Sequence, residues 1–266
     1  MIWWLAYTAL GVFTGFFAGM LGIGGGLVMV PTLTLMFAAQ AAFPAGEVLH
    51  LALGTSMATI LFTALASLRA HHRHGAVLWP VVAQITPGIL LGTLLGTLFA
   101  ASVPARPLAL FFTGFVCLIA LQMILDVKPK PSRELPGTGG VLAVGTGIGA
   151  ISALVAIGGG SLTVPFLTWC NVRVQNAIGT SAAVGFPIAL GGSLGYIVNG
   201  WEQPGLPAWS LGYIYLPAFI WLVPASMLSA PLGARLAHRL PVRTLKRLFA
   251  GILILLAAKM SWGIFA

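Results

Sequence analysis

Charge is what this chain lacks. Only 6% of its 266 residues are Asp, Glu, Lys or Arg, against about 25% in a soluble domain. Such a chain has too little polar surface to face water on all sides, which excludes a soluble globular protein. Its 4 acids, Glu47, Asp126, Glu134 and Glu202, all fall at segment ends or in loops. No carboxylate lies at the middle of an apolar run, where a sodium site, a divalent-cation site or a proton relay would need one. Cysteine is scarce too. Cys117 and Cys170 sit in or beside apolar runs and read as small buried hydrophobes rather than a disulfide. The strict apolar-polar alternation of an outer-membrane barrel is missing. A basic stretch and a small-residue cleavage site are missing from the start, so Met1-Ile-Trp-Trp reads as the first retained membrane segment and not a signal peptide.

Apolar residues make up 59% of the chain. They form runs at 2–22, 26–39, 49–68, 76–100, 107–126, 138–157, 160–170, 175–198, 211–233 and 244–264. Most are long enough to span a bilayer as helices of about 20 residues. The expected fold is an all-α polytopic membrane protein. The net charge of +9 then reports on orientation in the membrane rather than on nucleic acid. The one polar linker, residues 128–136, separates an N-terminal membrane repeat (1–127) from a C-terminal one (137–266).

The division into repeats is carried by matched motifs. Gly19-Met-Leu-Gly-Ile-Gly-Gly-Gly-Leu-Val-Met-Val-Pro31 returns as Ala153-Leu-Val-Ala-Ile-Gly-Gly-Gly-Ser-Leu-Thr-Val-Pro165. Gly54-Thr-Ser56 returns as Gly179-Thr-Ser181. Pro87, Gly96, Pro104, Arg106 and Gly114 match Pro224, Gly233, Pro241, Arg243 and Gly251 at one constant offset. This is an internal duplication. Each half holds four long segments and one short piece after the glycines, about eight long helices and two half-helices in all.

Lysine and arginine placement tests how the glycine-broken regions run. If the second one crosses once, Arg69, Arg73, Lys128, Lys130, Arg133 and Lys259 oppose Arg106, Arg173, Arg235, Arg239, Arg243, Lys246 and Arg247. That split says nothing. If it folds back, only Arg106 and Lys259 oppose all the others. The charge rule favours the folded-back version and, with the same pattern in both halves, an inverted repeat. Loop 69–74 and the linker would then be cytoplasmic and both termini outside. The short pieces carry Pro31 and Pro165, which weaken their helices. Such broken backbone survives at membrane depth only inside protein or beside a wet cavity.

Interrupted helices at matching places of two halves point to a transporter's substrate site. Gly24, Gly25, Gly26 and Gly158, Gly159, Gly160 let backbone approach a ligand, and a helix starting after them aims free N–H groups at an anion. The competing reading is close helix packing. Thr55, Ser56, Thr180 and Ser181 open the next segments, as anion donors or as helix caps. Ser161 has no hydroxyl counterpart in the first half, where Leu27 stands. His71, His72 and His74 read as a basic loop rather than a metal site. His50 reads as interfacial and Glu47 as a surface acid. Gln84 and Gln122 suit either the pathway or interhelical bonding. Trp3, Trp4, Trp201, Trp209, Tyr213 and Tyr215 read as interfacial anchors.

The duplicated glycine runs, the paired Gly-Thr-Ser motifs and the spacing of long helices resemble the TauE/SafE family of sulfite and organosulfonate exporters, over nearly the whole chain. That resemblance implies transport of a small sulfur oxoanion or sulfonate, or of another carboxylated anion, across a bacterial inner membrane. The second motif begins with Ala156 where the first has Gly22, so the two halves need not act equally. The expectation is an alternating-access carrier that exports a small anion, with no cofactor, metal or catalytic residue. An anion channel and a membrane-embedded enzyme are the rivals. Small-residue segments 88–97 and 185–195 suit packing within one protomer or against a partner, leaving a homodimer open.

Overall fold

The computed structural model describes residues 2–21, 25–125, 132–237 and 242–265. Among them the chain forms ten helices. α1 (Ile2–Leu21), α2 (Gly26–Ala38), α3 (Val48–Arg73), α4 (Trp79–Ser102) and α5 (Ala105–Leu125) form the first half. α6 (Thr138–Val155), α7 (Gly160–Trp169), α8 (Val174–Gly200), α9 (Leu216–Ala237) and α10 (Val242–Phe265) form the second. The order of one long, one short and three long helices occurs twice, the short ones being 13 and 10 residues. Among the described residues seven helices are long and apolar enough to cross a membrane. The protein is an all-α, multi-pass membrane protein.

Two boundaries differ from the sequence reading. Residues 69–73 are the last turn of α3 rather than a loop, with His74 as its C-cap and Gly75 at φ +64° just beyond. The run at 211–233 starts as a small hairpin, with β1 (Ser210–Leu211) paired antiparallel to β2 (Ile214–Tyr215) around Gly212 at φ +55°. The Tyr215 N–H donates to the Thr55 hydroxyl (3.0 Å), so it leaves the helical ladder for a partner across the fold.

Both short helices turn back. Gln40, just past α2, donates to the Tyr7 hydroxyl near the start of α1 (3.0 Å), and Tyr7 meets the edge of Phe37. At the end of α7 the Trp169 carbonyl accepts the N–H groups of Ser132 and Arg133 (3.2 and 3.3 Å). The Trp169 indole donates to the Ser132 hydroxyl (2.8 Å), and the Arg133 guanidinium lies 5.0 Å over its ring. α7 therefore returns to the linker end, where α6 begins, and α2 returns to the opposite end, where α1 begins.

Helix directions follow from which residues meet. Gly11, Gly15 and Gly19 of α1 lie against Leu222, Ser226 and Ala230 of α9, so the two run parallel. Gly88, Gly92 and Gly96 of α4 lie against Leu142, Thr146 and Ala150 of α6, also parallel. Between these pairs α3 and α8 cross antiparallel. Met57 faces Gly192, Ile60 packs with Ala189, and Ala64 faces Gly185. In the two parallel pairs a glycine Cα touches the neighbour's backbone, leaving no room for a Cβ. Small residues allow this approach in apolar surroundings, where dispersion rather than water expulsion drives association. The 88–97 and 185–195 segments are thus used inside one chain, against α6, α3 and α4.

Gly92→Val places a side chain on the Thr146 carbonyl. It is expected to destabilise by about 3 kcal/mol, the upper range for overpacking. Gly114→Ala, with open space around its Cα, should be neutral or stabilising by up to about 1 kcal/mol. Thermal unfolding of both variants in one detergent, followed by tryptophan fluorescence, checks the contrast.

Candidate functional site: a cavity at the second glycine break

The second break is built around one left-handed residue. α6 ends at Val155, and Ala156 takes φ +46°, ψ +50°. The duplication aligns it with Gly22 in the sequence, and glycine as a residue type bears none of the Cβ strain that alanine does in this conformation. The Ile157 N–H then donates to the Ser152 carbonyl (3.2 Å), and the chain reverses through Gly158 and Gly159 into α7. The Gly159 carbonyl accepts the Thr163 N–H (2.9 Å) as the first bond of the helix. The N–H groups of Gly160, Ser161 and Leu162 are therefore left without intrahelical acceptors. They and the helix dipole give this point partial positive charge.

A cavity of about 390 Å³ reaches this point from the linker end. Gly158, Gly159 and Gly160 form its floor, with Ser181 and Gly185 of α8 beside them. One wall is a face of α3: Ile60, Thr63, Ser67 and His71, ending at the exposed His74. Gly19 of α1 and Ala230 and Pro231 of α9 form the other wall. Among the described residues no carboxylate lines the cavity. Hydroxyls, imidazoles and free backbone N–H groups in an acid-free pocket suit a small anion.

The other candidate residues lie elsewhere. Gly25 and Gly26 are buried behind the cavity. Gly26 abuts the Ala156 carbonyl and the tip of Ile60, and Gly25 abuts Thr14. The two breaks thus touch, and among the described glycines of the two triplets Gly158, Gly159 and Gly160 line the cavity. Gly24 lies outside the described residues. Thr55 and Thr180 hold equivalent structural posts. Thr55 accepts the Tyr215 N–H and Thr180 accepts the Leu78 N–H (both 3.0 Å), each bracing the entry to a helix of the opposite half. Ser181 donates to the Ile178 carbonyl (2.8 Å) and lines the cavity. Ser56 and Ser161 are buried with no hydrogen-bond partner. Gln84 and Gln122 do not line the cavity. Thr63 and Ser67 were missed by the sequence reading. Their spacing with His71 and His74 (four, four and three residues) marks one helical face directly after the Gly-Thr-Ser motif.

The opposite end is shut. The fully buried Tyr196 donates its hydroxyl to the Ala153 carbonyl (2.9 Å). Beyond it Phe37 and Phe43 stack at 4.4 Å, with Tyr215 against both rings. Tyr213, buried rather than interfacial, stacks on His50 at 5.2 Å. His50 is also buried, its Nε2 3.0 Å from the Ala100 carbonyl. Glu47 accepts from Gln203 (3.0 Å) and sits 3.3 Å from the His50 Nδ1, so it is a bracing residue of this end rather than a free surface acid. Burial, then the negative charge of Glu47, pushes the Tyr213 phenol up and keeps that hydroxyl protonated.

A family model described as Sulfite exporter TauE/SafE matches residues 7–260. A probable membrane transporter protein of Haemophilus influenzae is 38% identical over 252 residues, covering 94% of this chain and 95% of that one. Two probable membrane transporter proteins of Bacillus subtilis, YunE and YdhB, are each 25% identical. YunE covers 97% of both chains, and YdhB covers 87% of this chain and 89% of its own. No solved structure matches.

Thr180→Val leaves the Leu78 N–H without its acceptor, and Thr55→Val does the same at Tyr215. Each is expected to cost about 1–3 kcal/mol, the desolvation penalty of an orphaned donor. Thermal unfolding measures it; an unchanged midpoint would return these hydroxyls to the set of ligand donors.

Proposed function

The chain belongs to the sulfite exporter TauE/SafE family and is a membrane transporter, and on that premise we propose that it exports a small anion, sulfite or an organosulfonate, across a bacterial inner membrane. The observation that carries this reading is the acid-free cavity floored by Gly158–Gly160 at the start of α7. The anion's oxygens take the N–H groups of Gly160, Ser161 and Leu162, with Ser181 and Ser67 as hydroxyl donors. His71 and His74 stand at the mouth. The family and the names of its relatives support transport rather than catalysis.

Orientation follows from arginine. Arg69, Arg73, Arg133 and Arg173 lie at the linker end of α3, α7 and α8, which the positive-inside rule makes cytoplasmic. The cavity then faces the cytoplasm. An inside-negative potential drives each anionic charge outward with about 2.3 kcal/mol per 100 mV. Export needs no coupling cation, in keeping with a cavity whose described lining residues include no acid. The closed opposite end favours a carrier over an open channel. The antiparallel crossing of α3 and α8, equivalent helices of the two halves, supports an inverted repeat, with residues 1–127 and 137–266 as its units.

Binding of sulfite, sulfate, thiosulfate, taurine, sulfoacetate, acetate and chloride to the purified protein, by calorimetry at fixed ionic strength, tests the reading. Selective binding of sulfite or a sulfonate is expected, weakened about tenfold in Ser181→Ala, since a hydrogen bond to a charged group is worth about 1.4 kcal/mol or more. A bulky residue at Gly159 is an ambiguous probe, because its Cβ would overlap the Ser181 carbonyl. Selective acetate binding would move the substrate to carboxylates, and no response to any oxoanion would overturn the proposal.

A further inference from the structure

The duplication relates each wall of the open cavity to a closed contact at the other end. Aligning Gly54-Thr-Ser56 with Gly179-Thr-Ser181 makes His71 the counterpart of Tyr196, and Ser67 the counterpart of Gly192. It also makes Ala182 the counterpart of Met57. Aligning the glycine motifs makes Gly19 the counterpart of Ala153, and Ala18 the counterpart of Ser152. At the linker end His71 and Gly19 both line the cavity, as do Ser67 and Ala182. At the opposite end the equivalent pairs are joined. Tyr196 is hydrogen-bonded to Ala153 (2.9 Å), and the Met57 side chain lies against Gly192.

The helix pairs repeat the asymmetry. α4 is zipped to α8, with Thr93 against Gly191 and Thr97 against Gly195. The counterparts of Gly191 and Thr93 are Ala66 and Ala230, and both line the cavity between α3 and α9. α9 meets α3 near the opposite end, where Phe62 meets Phe219 edge to face at 5.7 Å. Two hydroxyls supply an independent sign. Ser56 and Ser152 are fully buried and have no hydrogen-bond partner. A buried hydroxyl left unpaired is destabilising, since it has lost its water without gaining a partner. Their counterparts, Ser181 and Ala18, line the open cavity.

We propose a second anion-accessible cavity at the 201–215 end, lined by Ser56, Ser152, Met57 and Gly192, which opens when the α4–α6 pair swings from α8 and the α1–α9 pair closes on α3. Each pair moves as a unit, because its glycine contacts are backbone to backbone. Ser56 and Ser152 then become hydroxyl donors to the same oxoanion on its way out, and their missing partners are supplied by that state. Met57 and Ile60, where the second half has Ala182 and Gly185, make the two states unequal and hold the resting protein open at the linker end. The choice of ligand rests on the anion reading above; the cavity itself does not.

The test uses the full chain in sealed vesicles, with Cys117 and Cys170 replaced. In the second state Ser67 and Ala182 take up the contact that Gly192 and Met57 make here. The pair Ser67→Cys and Ala182→Cys should therefore cross-link under mild oxidant. In the cross-linked protein Ser152→Cys should react with a membrane-impermeant charged thiol reagent from the 201–215 face at least tenfold faster. Met57→Ala should raise the same rate without the cross-link. Failure of the pair to cross-link in protein whose Ser181→Cys still reacts from the linker face would overturn the proposal. Reaction of Ser152→Cys from the linker face alone would overturn it too. A cross-link that forms while sulfite, sulfonates and acetate all fail to bind rejects the anion reading and leaves this cavity standing.

Discussion

The backbone polar groups freed at the two glycine breaks cannot be left in hydrocarbon, and the architecture is arranged around them. A lipid-exposed turn at this depth would orphan several N–H and C=O groups at a cost of several kcal/mol each. The chain therefore covers what is described of both breaks. Gly25 and Gly26 of the first lie against Thr14, Ile60 and Ala156. The second is covered on one side by α8 and left open on the other to a cavity with hydroxyl lining. The long helices act as walls for these two hairpins, and their glycine contacts bring the walls close enough to seal them.

One consequence is that packing and ligand-binding readings of the glycines are compatible. Gly26 and Gly159 press on neighbouring backbone and Gly25 lies against Thr14, so Gly26 and Gly159 would be needed for packing alone. Gly159 nevertheless faces the cavity with Gly158 and Gly160. Backbone that must stay bare to pack is also backbone that can donate to a ligand. The threonines show the contrasting case. Thr55 and Thr180 are equally matched in sequence, yet both hydroxyls are committed to backbone N–H groups.

Low charge has a mechanistic counterpart as well. The chain has few acids, and among the described residues that line its cavity there are hydroxyls and imidazoles but no carboxylate. The acid nearest the core, Glu47, is placed with Gln203 and His50 at the closed end, where it braces the cap rather than the cavity.

Much of the fold was legible in the sequence, because hydrophobic run length and matched motifs are local properties. Ten segments, two of them short, and the duplicated order could be read from apolar runs and glycine spacing. The turning back of the short helices was legible only through arginine placement. What the sequence could not decide was at which end of the bundle a cavity opens. That depends on side chains that meet across the fold, such as Tyr196 on Ala153 and Met57 on Gly192. For the same reason the hairpin at 210–215, the burial of His50 and Tyr213, and the α3 face carrying Thr63 and Ser67 emerged only in the tertiary structure. The sequence by itself determined a twice-built, glycine-broken membrane bundle. The packing of one half against the other decided where that bundle holds a cavity.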